Sequence, residues 1–117
     1  MKTDVFKDAA INQCYKSAYK QRLGAVVVFK GRIVGKGFNK IIGNGSMRVG
    51  TVHAEVSALN NSPAAYRKGA VVYVSRITSK GELVMSKPCH ACEVVLRKLG
   101  VKRVWYSEAG EWKRWVL

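Results

Sequence analysis

The sequence predicts an α/β fold around a mixed β-sheet of five strands, on three observations. Ala25 to Phe29 is rich in valine, and Lys30-Gly31 supplies a tight turn into Arg32 to Phe38, the pattern of a β-hairpin. The apolar run Ala70 to Val74 and the segment Val101 to Tyr106 flank a stretch of helical periodicity, as when a helical crossover joins parallel strands. Only 11 residues follow Tyr106, fewer than the dozen or more that another parallel crossover needs, so the last strand is expected to return antiparallel.

The elements follow in order. Phe6, Ala9, Ala10, Gln13, Cys14, Ser17 and Ala18 recur at helical spacing, which predicts a first helix over 4–20, ending before Gly24. After the hairpin, residues 40–52 hold Gly43, Gly45 and Gly50 and no sustained period, so a long loop is expected to deliver the chain to His53. A second helix opens at His53 and ends near Asn61, where Ser62-Pro63 interrupts it. Ala70 to Val74 is the third strand, and Lys80-Gly81 marks a turn before Pro88. A third helix over Cys89 to Leu99 places Val95, Leu96 and Leu99 on one side and stops at Gly100. Val101 to Tyr106 is the fourth strand, Ser107-Glu108-Ala109-Gly110 a turn, and Trp112 to Leu117 a fifth strand antiparallel to the fourth. The sequence holds no repeat, low-complexity tract or linker, and a single domain over 1–117 is expected.

Composition bounds the function. At 117 residues and 48% hydrophobic content the chain can bury one core of ordinary domain size. No run approaches the roughly 20 apolar residues of a membrane helix, and MKTDVFKDAA lacks the apolar stretch of a secretory signal, so a soluble cytoplasmic protein with no membrane partner is expected. Cysteine is odd in number, and the pair Cys89-x-x-Cys92 is too close for a secreted disulfide framework; reduced, metal-binding thiols fit better. The net charge of +14 favours anionic partners, nucleotides or nucleic acid, although the same excess could serve solubility alone.

Two short motifs carry chemistry: His53-Ala54-Glu55, and Pro88-Cys89-His90-Ala91-Cys92 beginning 35 residues after His53. One imidazole and two thiolates leave the fourth tetrahedral position of Zn²⁺ open for water, the mark of a catalytic rather than a structural site. Zinc lowers the pKa of such a water toward neutrality. Glu55, two residues beyond His53 in the opening helical turn, can reach that water without being a ligand. Both motifs open helices, whose N-termini favour thiolates at Cys89 and Cys92. Two other readings stand beside this one: a closed site with Cys14 as fourth ligand, although Cys14 falls on the predicted core face of a helix, and Glu55 as a favourable charge at a helix N-terminus. His90, between the thiols, reads as a surface residue or a substrate contact.

The pair of motifs resembles the H-x-E and P-C-x-x-C signature of the cytidine and deoxycytidylate deaminase superfamily. The resemblance covers about residues 4–106 and implies a three-layer α-β-α cytidine deaminase-like sandwich. It implies Zn²⁺ held by His53, Cys89 and Cys92, with Glu55 as the catalytic proton carrier. Gly37-Phe38-Asn39 resembles the stretch carrying the family's substrate-binding asparagine. Asn39, the adjacent Phe38 and the backbone of Ala54 are therefore implied substrate contacts. The implied reaction is hydrolytic conversion of cytosine to uracil in a pyrimidine nucleoside or nucleotide such as deoxycytidylate. The expected antiparallel fifth strand resembles the free-nucleoside branch, and related small deaminases often assemble, so a homo-oligomer is an expectation.

Two other functions remain open in the sequence. One is deamination of cytosine or adenine within single-stranded DNA or RNA, on a basic aromatic surface of Trp105, Tyr106, Trp112 and Trp115 with Lys102, Arg103, Lys113 and Arg114. The same alternation suits a core or subunit-contact face equally well. The other is a non-catalytic, zinc-stabilised nucleic-acid-binding module, against which the presence of Glu55 counts.

Overall fold

In β1 (Arg22–Phe29) every second side chain meets a different layer of protein, and this explains the unbroken run Ala25 to Val28. Ala25 and Val27 pack with Ala54, Ala58, Leu59, Val72, Val74 and Leu96 on one face, whereas Val26 and Val28 pack with Ala10 and Tyr73 on the other. A strand covered on both faces reads as continuous apolar sequence rather than as alternation.

This computed structural model describes residues 2–17, 22–44 and 47–117. The chain runs through α1 (Lys2–Cys14), β1, β2 (Arg32–Phe38), β3 (Lys40–Asn44), β4 (Met47–Val52), α2 (Ala54–Asn60), β5 (Val71–Ile77), β6 (Leu83–Val84), α3 (His90–Lys98), β7 (Arg103–Glu108) and β8 (Glu111–Val116). The main sheet has the order β2-β1-β5-β7-β8, with the short β6 added on β5. Only β5 and β7 are parallel, joined through α3; the β1–β2, β1–β5 and β7–β8 pairs are antiparallel. With α1 on one face and α2 and α3 on the other, the layers are α-β-α around a mixed sheet, as expected. The fifth strand of the expected order, β8, returns antiparallel with Arg103 opposite Val116 and Glu108 opposite Glu111.

Several boundaries differ from expectation. The first helix ends at Cys14, where the amides of Lys16 and Ser17 turn back onto the carbonyls of Gln13 and Cys14; Ala18, in the expected helix, lies outside the described residues. The expected loop over 40–52 is a second, two-stranded sheet, in which Lys40 pairs with Val52 and Ile42 with Gly50. Main-chain pairing forms it despite the glycines, one of which, Gly43, sits at its register shift. The fourth strand begins two residues later than expected and runs through Ser107 to Glu108, leaving Ala109-Gly110 as the turn. Both turn residues have positive φ, 51° and 80°, the conformation of a tight hairpin turn.

Candidate active site

His53 and Cys89 are each the residue just before a helix, with extended backbones at ψ 151° and 169°. Each carbonyl accepts the first hydrogen bond of its helix, from the amides of Ser57 and Glu93 respectively. The two helix starts meet beyond the parallel strands, at their carboxyl ends, where open α/β sheets characteristically place a ligand. One turn into α3, Cys92 points back and is 4% exposed, whereas Cys89 is exposed.

The metal-ligating atoms of His53, Cys89 and Cys92 all lie within 4.8 Å of one another. His53 Nδ1 is the nitrogen that faces the thiols, 2.9 Å from Cys92 Sγ and 3.7 Å from Cys89 Sγ. Donors on tetrahedral zinc at about 2.1 Å for nitrogen and 2.3 Å for sulfur stand roughly 3.6 Å apart, so the Cys89 separation already matches and the Cys92 contact is hydrogen-bonded. The donor set, one imidazole and two sulfurs, fits zinc with an open position.

Electrostatics within the cluster point the same way. Glu55, 2% exposed, places Oε1 at 3.7 Å from His53 Nδ1. The carboxylate beside it pushes the imidazole up to about 8. The backbone of Cys92 hydrogen-bonds the Cys89 thiolate and holds that thiol below its ordinary value. Burial, with Glu55 and Cys89 close by, drives the Cys92 thiol far above its own. A buried thiolate beside a carboxylate is unfavourable until a divalent cation stands among them, and a coordinating cation inverts that balance.

A cavity of about 430 Å³ opens over this cluster, lined among others by Asn39, His53, Ala54, Glu55, Pro88 and Cys89. Of the expected substrate contacts, Asn39 and Ala54 line it; half-buried Phe38 does not. Asn39 is pinned at three atoms: Oδ1 accepts the Leu23 amide at 2.9 Å, its amide reaches the Leu23 carbonyl at 3.2 Å, and its carbonyl accepts the Ser17 hydroxyl at 3.1 Å. His90 points outward with its side chain 90% exposed, 4.0 Å from Glu93. Cys14 is buried on the α1 side of the sheet, 3.2 Å from Ser75 Oγ, and does not belong to the metal-ligating group.

Leu23, Arg76, Met85, Ser86 and Lys87 also line the cavity, and sequence reading missed all five. A signal for Arg76 was present: Val72, Val74 and Arg76 share one face of β5, so the row that enters the core ends in a cation. The segment bearing Ser86 is clamped by a closed polar network. The Ser86 hydroxyl donates to the Val74 carbonyl at 2.8 Å and accepts the Ser107 amide at 2.7 Å, while the Ser107 hydroxyl donates to the Val84 carbonyl at 2.7 Å.

The basic aromatic surface does not form as one patch. Trp105 and Trp112 join Tyr73 on the α1 face, with Lys7 Nζ 5.2 Å from the Trp105 ring, whereas Tyr106 and Trp115 pack on the α2 and α3 face. Alternation along β7 and β8 divides them.

Residues 2–108 match the family model described as the cytidine and deoxycytidylate deaminase zinc-binding region. The chain belongs to this family. No curated protein sequence matches it. Among solved structures, this deaminase resembles a cytidine deaminase from Burkholderia pseudomallei at 25% identity, covering 99% of this chain and 93% of that one with a TM-score of 0.74. It also resembles the dCMP deaminase of cyanophage S-TIM5 in its apo form, at 22% identity, covering 88% and 79% with a TM-score of 0.69. RibD of Acinetobacter baumannii shares the fold over 90% of this chain and 27% of its own, at 23% identity and a TM-score of 0.62. The protein is thus a zinc-dependent deaminase of pyrimidines with a cytidine deaminase-like fold, and its His53, Cys89 and Cys92 group fits the metal. Among the described residues, no helix is long and apolar enough to cross a membrane.

Proposed function

We propose that this deaminase converts cytosine to uracil in a free pyrimidine nucleoside or nucleotide, with His53, Cys89 and Cys92 as zinc ligands and Glu55 as the catalytic proton carrier. The observation that carries the reading is the buried Glu55 carboxyl group, which lines the cavity beside the ligand cluster at 3.7 Å from His53 Nδ1. Zinc, when bound, supplies a Lewis acid that acidifies a water for attack on the amino-bearing ring carbon. Glu55 would take one proton from that water and pass it to the ring nitrogen, then take the remaining proton of the added hydroxyl and pass it to the departing amine, so that ammonia leaves as the carbonyl forms. Ala54 presents its backbone at the cavity wall, and Asn39, fixed by Leu23 and Ser17, contacts the base and sugar. Related structures support the substrate class: one contains dCMP and dUMP bound to the cyanophage S-TIM5 enzyme, and another is named a cytidine deaminase.

The test offers zinc-loaded protein cytidine, deoxycytidine, their monophosphates and single-stranded oligonucleotides, and follows uracil formation by mass spectrometry. Conversion of the small substrates is expected, and Glu55→Gln should retain stoichiometric zinc while losing about 10²- to 10⁴-fold in kcat. Ammonia release by Glu55→Gln at the wild-type rate would remove Glu55 from the mechanism, and conversion of oligonucleotides alone would replace the substrate class.

A further inference from the structure

Arg76 and Lys87 bring two cations to the cavity that holds Glu55 and the metal ligands. They sit at opposite ends of the connection between β5 and the Pro88-Cys89 motif, and local structure fixes both ends. The Arg76 amide donates to Ser107 Oγ at 3.2 Å. The chain then turns at Thr78, whose amide and carbonyl bond Glu82 and Gly81 at 3.0 and 2.9 Å, pairs as β6, and reaches the clamped Ser86 beside Lys87.

Among the described residues neither cation has a carboxylate partner. The ion pairs among the described residues join His53 to Glu55, His90 and Arg97 to Glu93, and Lys113 to Glu108. Lys87 Nζ instead rests over aromatic rings, 4.6 Å from the Trp115 centroid and 5.8 Å from that of Tyr106. Those faces hold the ammonium in place without neutralising it. Among the described residues the only carboxylate lining the cavity is Glu55, at its metal end. An arginine fork and a lysine point charge, both uncompensated in one concave site, match a phosphate group. Both cations, one near the end of β5 and one just before Pro88, line one cavity rather than a row along the surface, which suits a single terminal phosphate better than a strand backbone.

We propose that Arg76 and Lys87 form an anion subsite that receives the phosphate of a pyrimidine nucleoside monophosphate and makes this enzyme select nucleotide over nucleoside. The inference rests on the deaminase reading above for the base that accompanies the phosphate. The cavity, at about 430 Å³, lies in the range of pockets that enclose small ligands.

Binding of the product pair tests it without requiring turnover. Zinc-loaded wild type, Arg76→Gln and Lys87→Gln are titrated calorimetrically with deoxyuridine, dUMP and a short single-stranded oligodeoxyuridylate, and the zinc content and melting temperature of each variant are measured alongside. Wild type is expected to bind dUMP about 100-fold more tightly than deoxyuridine, and each substitution to shrink that ratio about tenfold. Equal affinity for dUMP and deoxyuridine, no binding of dUMP, or a ratio unchanged in both folded variants overturns the subsite. Tighter binding of the oligonucleotide than of dUMP overturns it in favour of a strand-binding groove. Selective dUMP binding through Arg76 and Lys87, with no ammonia released from any cytosine substrate, would instead sink the proposed reaction and leave the subsite standing.

Discussion

Glu55 and His53 show how two residues can serve a metal site before the metal arrives. The adjacent Glu55 carboxylate stabilises the imidazolium, raising His53 from its ordinary value of 6.5 to about 8. Ligation needs the neutral ring, and the Cys92 thiol must also give up its proton, so zinc competes with protons throughout the neutral range. Zinc affinity is therefore expected to rise about tenfold or more per pH unit from pH 6 to pH 8, measured against a chromophoric chelator. In Glu55→Gln the imidazole loses its acidic partner, and the slope should shrink. A pH-independent affinity would contradict the ligand assignment. The grouping of His53 with the two thiols was legible in the sequence because a histidine, a carboxyl group and two thiols at those spacings have few other uses. Which imidazole nitrogen faces the metal site was not legible, because ring orientation depends on the packing around it.

Among the elements, the contact of α2 with β2 sets where His53 stands. Gly35 and Gly37 face the helix, and a Cβ added at Gly37 would overlap the backbone nitrogen of Ala58. Glycine in a strand marks a close backbone approach, and here the approaching backbone belongs to the helix that begins just after His53. Gly37→Ala is expected to cost about 2 kcal/mol of stability in urea unfolding. It should also weaken zinc binding, because α2 must move away from the sheet while Cys89 stays on α3. Full stability in Gly37→Ala would show that the contact yields without strain. The hairpin of β3 and β4 is the opposite case. Glycines at 43, 45 and 50 read as loop, yet strand pairing organises the segment, since ladder hydrogen bonds do not depend on side-chain periodicity.

For the whole molecule, the excess of 21 basic over 7 acidic residues creates a net positive field that favours anionic substrates. Raising ionic strength from about 0.05 to 0.5 M shortens the screening length severalfold. The kcat/KM for deoxycytidylate is expected to fall about tenfold over that range, and that for uncharged deoxycytidine to change little. Equal salt dependence for the two would mean that the charge serves some other purpose. Alternation on β7 and β8 disperses the expected tryptophan surface, and half of it packs under Lys87 beside the cavity.

The sequence by itself determined the chemistry and most of the order of elements. The candidate metal donors and Glu55 lie within two short motifs, and helices and strands announce themselves by local period. Tertiary structure alone decided what converges. Arg76 and Lys87 reach the metal cavity because β5 pairs with β7 and the Ser86–Ser107 clamp folds the intervening segment back. Cys14 is removed from the metal by the thickness of the sheet, and the four aromatic residues of the last hairpin are parted by its two faces. Local patterns record what a residue's near neighbours require. Strand order and loop closure set distances between remote residues, and those arise only when the whole sheet is assembled.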